Sequence, residues 1–293
     1  MSLTSFQLLA ADRIPAAELH ALACAAFDDY LIPLQLANVN WPSFIARQAI
    51  NLAHSRIALQ NGAPCAFALV APRQQRASWR LAMMGALPAA RGNGAAAALL
   101  QDWQARARQA GQAIELEVVC ANQRALALYQ KHGMRQSHIL SGWHAPALGG
   151  ISAGLPPEIL SPSLPEAFAW LEQVERRLDG IPLQTLPACL RPQQEGLQAW
   201  RLEHAQIVFR CQGQELLLLS ILQDDPQQAA AARLLTLLRA HYPLHSARIS
   251  LLQRDDLGGL ACAEAGFSRH PMQQFLLQGQ ANEDLSDPSR CAG

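Results

Sequence analysis

The stretch Leu87-Pro88-Ala89-Ala90-Arg91-Gly92-Asn93-Gly94-Ala95-Ala96 lies between a run with strand character and an amphipathic helical pattern. Glycines in such a turn let main-chain N–H groups approach a bound anion closely. The N-terminus of the following helix adds a partial positive charge, and Arg91 can add a full one. The stretch therefore predicts a phosphate-binding turn made of Arg91, Gly92, Asn93, Gly94, Ala95 and Ala96.

Strand-like and helix-like patterns alternate around this turn in a regular order. The apolar spacing predicts two helices before it, the second through Phe44, Ile45, Ala49 and Leu52, and strands at 6–9, 56–59, 66–71 and 79–86. After the turn come a helix ended by Gly111, a strand at 113–119, a helix over 122–132 closed by Gly133, and a strand at 134–140. The order β-α-α-β-β-β-α-β-α-β predicts a mixed α/β domain with a central sheet.

Composition narrows the class of protein. The chain has 293 residues, of which 50% are hydrophobic and 16% are charged, so we expect a folded protein with two domains. Lys plus Arg and Asp plus Glu are equal at 23 each, which argues against a nucleic-acid partner. The 7 cysteines form no CxxC pair, so neither a disulfide framework nor a metal site is expected. Without a signal peptide or a long apolar run, we expect a cytoplasmic protein that makes no membrane contact.

A linker and a weak internal repeat divide the chain. Glycines and prolines concentrate after Trp143, and we predict domains at 1–145 and 158–293 joined by a linker at 146–157. The segment 260–267 parallels 126–134, with Gly266 matching Gly133. The second half therefore reads as a second copy of the same fold.

Two motifs in the first half carry a family resemblance. The run Arg91–Ala96 fits the pattern [QR]-x-x-G-x-[GA], with Pro88 three residues before the arginine. Downstream, Leu116-Glu117-Val118 is followed by a set of matching residues, namely Asn122, Ala125, Leu128, Tyr129, Lys131, Gly133 and Met134. Together they resemble the GNAT N-acetyltransferase superfamily over about residues 5–142. The element Phe27-Asp28-Asp29-Tyr30-Leu31-Ile32-Pro33 resembles an F-x-D-Y-x-x-P sequence of a bacterial subset of that family.

The resemblance implies a fold, a substrate and a reaction. The fold is a central mixed, mostly antiparallel sheet flanked by helices, here in two tandem lobes. Acetyl-coenzyme A is the implied acetyl donor, and no metal is implied. Its pyrophosphate would bind to Arg91–Ala96, and its pantetheine arm would run beside a strand that splays from the Glu117 strand. An amide at Ala86 or Leu87 would stabilise the developing oxyanion.

The resemblance also assigns roles to side chains, and each assignment has a structural alternative. Glu117 corresponds to the general base, often acting through water, or is a solvent-facing strand residue. Glu115 shares its strand face and is the second candidate base. Tyr129 corresponds to the acid that protonates the leaving thiolate, or belongs to the core. Asn122 binds cofactor or caps its helix.

The second half lacks the matching residues, because Cys262, Asp255 and Ser250 align with Tyr129, Asn122 and Glu117. Its turn region, 223–228, contains no glycine and two acidic residues, so we expect a degenerate copy that packs as a pseudo-dimer partner. The predicted function is acetylation of a primary amine on a small molecule or peptide by a monomer or homodimer. The alternative is a non-catalytic acyl-coenzyme A sensor or scaffold.

Overall fold

The computed structural model describes residues 6–31, 36–223 and 225–279. The chain forms two compact units. Unit 1 comprises residues 1–118, 122–136 and 277–293, and unit 2 comprises residues 119–121 and 137–276. The predicted domain boundary at 145/146 therefore lies inside the range 137–276 of unit 2. Most of the strand that precedes this boundary belongs to unit 2.

Unit 1 contains the elements that were predicted around the phosphate turn, in the predicted order. They are β1 (Gln7–Ala10), α1 (Ala16–Phe27), α2 (Trp41–Arg47), β2 (Asn51–Gln60), β3 (Ala63–Arg73), β4 (Ser78–Ala86), α3 (Ala95–Gln109), β5 (Ala113–Val119) and α4 (Gln123–Lys131). The strands lie in the order β1-β2-β3-β4-β5. The first three neighbouring pairs are antiparallel, and β4 and β5 are parallel.

One face of the unit 1 sheet is covered by α1 and α2. Leu19, Leu22 and Ala26 of α1 and Trp41 of α2 pack in one apolar cluster with residues of β2 and β3, including Ile57, Phe67 and Leu69. Asn40 begins α2, since its side chain accepts a hydrogen bond from the Ser43 amide at 3.0 Å.

Unit 2 is built from a second set of strands and helices, except that residues 135–136 and 277–279, at two of the strand ends, are counted with unit 1. Its elements are β6 (Arg135–Ala145), α5 (Leu164–Arg177), α6 (Pro187–Leu190), β7 (Gln198–Leu202), β8 (Ala205–Gln212), β9 (Glu215–Leu222), α7 (Ala229–His241), β10 (Ser246–Arg254), α8 (Gly259–Glu264) and β11 (Ser268–Gly279). The strand order is β11-β6-β10-β9-β8-β7. Here β9 and β10 are parallel, whereas β6 and β10 are antiparallel.

The two sets repeat the order β-β-β-α-β-α-β, from β2 to β6 and from β7 to β11. A shared contact accompanies this order. In unit 1 the Gln104 side chain of α3 donates to the carbonyl of His132, just before Gly133, at 2.8 Å. In unit 2 Arg239 of α7 donates to the carbonyl of Ala265, just before Gly266, at 2.6 Å. Each contact satisfies a carbonyl at a helix C-terminus.

Several predicted boundaries were wrong. The second helix does not reach Leu52, because α2 ends at Arg47 and Ala49 takes a left-handed φ of 52°. The strand β2 then begins at Asn51, whose carboxamide oxygen accepts from the amides of Ala53 and His54. Three elements of unit 2, α5, α6 and β7, were not predicted at all. None of the described helices is both long enough and apolar enough to cross a membrane.

Candidate active site

The predicted phosphate turn joins β4 to α3. A 3-10 helix, Pro88–Ala90, follows β4, and the chain then reverses through Gly92 and Gly94, whose φ angles are 84° and 97°. These positive φ values favour glycine over any residue with a Cβ. Gly94 is the N-cap of α3, and it carries no side chain that could cap the helix.

The N-terminus of α3 presents main-chain donors. The first hydrogen bond of the helix runs from the Ala98 amide to the Gly94 carbonyl at 2.9 Å. The amides of Ala95, Ala96 and Ala97 precede it, and such amides have no partner within their own helix. A Cβ placed on Gly92 would meet nothing within 4 Å, so the turn is open to an approaching group.

Arg91 has a different partner from the one the sequence suggested. Its guanidinium forms a bidentate pair with the Asp29 carboxylate at 2.5 and 2.6 Å, and it also donates to the carbonyls of Ala26 and Ala86. The hydrogen bond from Arg91 lowers the pKa of the Asp29 carboxyl, so the ion pair stays ionised. The guanidinium therefore fastens the end of α1 to the turn, and the anion-binding donors of the turn are main-chain amides.

The strands β4 and β5 separate beside this turn. Their parallel pairing covers Ser78 with Ala113, Trp79 with Ile114 and Arg80 with Glu115, and goes no further. Beyond Arg80, β4 remains paired with β3 as far as Ala86. The predicted splay is therefore confirmed, and it leaves the edge of β4 without β5 along residues 81–86.

The Ala86 amide is the better placed of the two candidate oxyanion donors. Leu87 donates its amide to the Cys65 carbonyl of β3 at 2.9 Å, so that donor is already used. In an antiparallel pair, alternate residues direct their N–H and C=O groups towards the partner strand. Ala86, next to Leu87 and opposite Ala66, therefore directs its amide away from β3 and into the space that β5 vacates.

Glu117 lies in the splayed part of β5, two residues beyond the last pair with β4. Its carboxylate binds the Arg80 guanidinium through Nε at 2.8 Å and Nη2 at 2.8 Å. Both side chains are buried, with 4% of Glu117 and 3% of Arg80 exposed. Arg80 also donates to Gln48 at the end of α2 at 3.4 Å, so the pair lies on the face covered by α1 and α2.

Glu115 forms a second buried ion pair on the same strand face. Its carboxylate binds Arg73 of β3 at 2.6 Å. Burial raises the pKa of Glu115, and the Arg73 guanidinium opposes that shift. Glu115 lies where β4 and β5 are still paired, so it is further from the splay than Glu117.

Asn122 takes the capping role considered for it, and its other side-chain atom contacts Tyr30. Its Oδ1 accepts from the Ala125 amide at 3.1 Å and so caps α4. Its Nδ2 donates to the hydroxyl of Tyr30 at 3.5 Å. Tyr129 is buried on the same helix, and burial first, then the proximity of Tyr30, raises the pKa of its phenol.

Tyr30 is the site residue that the sequence interpretation missed. It lies within the F-x-D-Y-x-x-P element, which was used there for family resemblance and not for a role. The end of that element, Ile32 and Pro33, falls outside the described residues. Within the described ranges no group of three or more His, Cys, Asp or Glu side chains is arranged to hold a metal ion.

The corresponding region of unit 2 is filled by its own side chains. The Gln223 carboxamide accepts from the Ala231 amide in the first turn of α7 at 2.7 Å. Gln253 of β10 donates to the Ile221 carbonyl of β9 at 3.1 Å and to the Leu257 carbonyl at 3.1 Å. Gln228 links the Asp255 carbonyl to the Ala261 amide. The helix end and the strand gap that are open in unit 1 are thus bridged in unit 2.

The three positions aligned with the first site also differ in chemistry. Cys262 is buried, and its thiol donates to the Gly258 carbonyl at 3.4 Å. Asp255 is bound by Arg269 at 2.8 Å, and Ser250 lies on β10. Asp224, one of the two acids noted in the turn region, lies outside the described residues.

Residues 19–134 match the model of the acetyltransferase (GNAT) family. The match spans the turn, β4, β5 and α4. This segment of the first unit is therefore similar to the GNAT acetyltransferase family. No curated protein matches the sequence.

Solved structures match the chain over nearly its full length. A GCN5-related N-acetyltransferase from Sphaerobacter thermophilus has a TM-score of 0.61 at 16% identity, covering 94% of this chain and 96% of that one. A putative acetyltransferase from Pyrococcus horikoshii has a TM-score of 0.61 at 11% identity, covering 96% and 90%. A tandem GNAT protein from the clavulanic acid biosynthesis pathway has a TM-score of 0.56 at 15% identity, covering 96% and 99%. At these identities the likeness establishes the GNAT fold alone.

Proposed function

We propose that unit 1 transfers the acetyl group of acetyl-coenzyme A to a primary amine of a small molecule or peptide. The observation that carries this proposal is the gap between β4 and β5 beside the uncapped N-terminus of α3. An acyl thioester on a long arm with a diphosphate at its far end fits such a site. The gap accepts the arm, and the helix end accepts the diphosphate.

The main chain supplies the binding groups. The amides at Gly92, Gly94, Ala95 and Ala96 bind the diphosphate, with Arg91 and Asn93 holding the shape of the turn. The exposed edge of β4 hydrogen-bonds the pantetheine arm, and the Asn122 carboxamide closes its other side. The Ala86 amide donates to the thioester oxygen as negative charge develops there, which lowers the barrier to attack.

Two side chains move the protons. An alkylammonium has a pKa of about 10 and must lose a proton before it can attack. Glu117 lies in the splayed part of β5 and accepts that proton, directly or through water, while Arg80 holds its carboxylate in position. Tyr129, which remains protonated because it is buried, donates a proton to the departing thiolate.

Binding is tested by calorimetry with acetyl-coenzyme A on the full chain carrying Gly92→Val. A Cβ at Gly92 meets no protein atom within 4 Å, so the added bulk faces a bound ligand, and the backbone strain that valine causes at this positive φ must be matched in the control. The matched control is Gly62→Val in the β2–β3 turn, where φ is 80° against 84° at Gly92 and a Cβ likewise meets nothing within 4 Å. We expect at least a tenfold loss of affinity for Gly92→Val alone. Equal affinities in the two variants would refute the proposed site.

The rival function is a sensor or scaffold that binds acyl-coenzyme A without turnover. Release of free thiol from acetyl-coenzyme A in the presence of an alkylamine, an amino acid, a polyamine and a short peptide distinguishes the two. Thiol release that depends on the amine supports the transferase. Tight binding with no release from any of these acceptors supports the sensor.

We further infer that unit 2 is a diverged copy of unit 1 that binds no acyl-coenzyme A. The repeated element order and the matching contacts of Gln104 and Arg239 support common descent. The glutamine side chains that bridge its helix end and strand gap support the loss of the site. The chain would then be a tandem GNAT protein with one working site, acting in the cytoplasm of a bacterium.

A further inference from the structure

Tyr30 lies on the unit 1 face that also carries Glu117. Phe27 of α1 contacts β4 so closely that a Cβ at Gly85 would lie 2.9 Å from its ring. Tyr30 packs edge-on against that ring, with 5.0 Å between the ring centroids. Gly85 directly precedes Ala86, whose amide faces the gap. One aromatic ring therefore separates Tyr30 from the strand that binds the thioester.

The hydroxyl of Tyr30 reaches the opposite wall of the gap. It accepts a hydrogen bond from Nδ2 of Asn122, at the start of α4. Tyr30 thus links two elements. Its ring packs on Phe27, which contacts β4, and its hydroxyl contacts the start of α4, the helix that carries Tyr129. Its backbone is held as well, since the Tyr30 amide donates to the Phe27 carbonyl at 3.1 Å and the neighbouring Asp29 binds Arg91.

Glu117 approaches the same space from the same side of the sheet. Its partner Arg80 contacts Gln48 at the end of α2, and α1 and α2 share one apolar cluster on that face. An amine that gives its proton to Glu117 while attacking a thioester bound along β4 must enter from this side. It then enters on the face where both Glu117 and Tyr30 lie.

We propose that Tyr30 binds the acceptor amine, accepting a hydrogen bond from its N–H through the phenolic oxygen and so directing its lone pair at the thioester carbon. The inference rests on the proposed transfer to an amine. It adds no covalent step: Glu117 passes the ammonium proton on to water, the neutral amine forms the nitrogen–carbon bond as the carbon–sulfur bond breaks, the proton that the nitrogen then loses goes to Glu117, and the thiolate takes a proton from Tyr129. Tyr30 keeps its own proton throughout.

The test is Tyr30→Phe in the full chain, which removes the hydroxyl and keeps the ring contact with Phe27. The control is Tyr242→Phe in unit 2, where the hydroxyl also has a side-chain carboxamide partner, Gln198, at 3.4 Å. We measure KM and kcat with the best amine from the thiol-release panel, the Kd of acetyl-coenzyme A, and the thermal midpoint. For the loss of one neutral hydrogen bond we expect the amine KM of Tyr30→Phe to rise about three- to tenfold. The acetyl-coenzyme A affinity and the midpoint should stay unchanged, and Tyr242→Phe should leave all of these values unchanged.

Three results would overturn the inference. An unchanged amine KM in Tyr30→Phe would show that the Tyr30 hydroxyl does not bind the amine. A weaker affinity for acetyl-coenzyme A, or a lower thermal midpoint with no amine-specific effect, assigns Tyr30 to cofactor binding or to packing. Failure of the wild type to release thiol with any amine refutes the proposed function first, and the Tyr30 contact with it.

Discussion

At the scale of single residues, the two glutamates of β5 illustrate what a sequence reveals and what it hides. Their spacing predicts that Glu115 and Glu117 share a strand face, and both do form ion pairs on that face. Their partners, Arg73 and Arg80, are separated from them by 42 and 37 positions, so no local pattern could have predicted the pairing. The end of the β4–β5 ladder is equally non-local, and it distinguishes the two carboxylates.

Replacing Glu117 by Gln is expected to lower kcat by about 10²-fold, which is typical for loss of a general base. The carboxamide still accepts from Arg80 but no longer neutralises it, so the variant should also lose stability, as Glu115→Gln does, and kcat is measured on the folded protein. Steady-state kinetics with the best amine measures the effect. A kcat within about threefold of the wild type would remove Glu117 from proton transfer, because a base contributes more than that.

Glu115→Gln is the matched control, and it should act on stability. It removes a carboxylate from a buried arginine, a change that costs about 3–5 kcal/mol when one partner of a buried pair is lost. Urea denaturation should show this loss, while the kcat of the folded protein should change little. If kcat falls as far as in Glu117→Gln, the assignment of the base must be reversed.

Tyr129 makes a prediction about pH. Burial raises the pKa of its phenol above the usual value of about 10, so the acid form persists through neutral and mildly alkaline conditions. Tyr129 therefore contributes no fall in rate up to about pH 9.5. Tyr129→Phe should lower kcat by about 10²-fold at every pH in that range. An alkaline decline that is present in the wild type and absent in Tyr129→Phe would contradict the raised pKa.

At the scale of elements, the ends of a helix could be predicted where capping residues close in sequence determine them. Asn122 and Gly133 bracket α4 as predicted, because an Asn N-cap and a Gly after the helix act within a few residues. The end of α2 escaped prediction, since Ala49 takes a left-handed φ that alanine rarely adopts. The missed α5 did carry a signal, the capping box formed by Ser163 and Glu166.

The bridge between β9 and β10 predicts where unit 2 is sensitive. Gln253 is buried and donates to the carbonyls of Ile221, Arg254 and Leu257. Gln253→Ala leaves those carbonyls short of a donor, and an unmet buried polar group costs about 1–3 kcal/mol. Denaturation should reveal that loss, while the Kd of acetyl-coenzyme A stays unchanged. A comparable loss of acetyl-coenzyme A affinity would instead imply that unit 2 takes part in cofactor binding.

For the whole molecule, the class of fold was predicted correctly from the sequence, and the second, related copy stays a prediction that the repeated element order supports. The bridges of the second half could not be predicted, because the contacts of Gln223 with Ala231, Gln253 with Ile221 and Gln228 with Ala261 join residues 8, 32 and 33 positions apart. We expect calorimetry to give one acetyl-coenzyme A per chain. A value of two would show that the glutamine contacts open for the ligand.

The assignment of β6 to unit 2 has a consequence for biosynthesis. This strand, Arg135–Ala145, pairs with β10, which is synthesised roughly a hundred residues later. At ribosomal speeds of about 5–20 residues per second, β6 waits several seconds or more for its neighbour. A nascent chain in that interval exposes an unsatisfied strand edge, a template for aggregation. Halting translation after Ala145 should therefore yield a product that depends on chaperones, whereas the complete polypeptide shields the edge by itself.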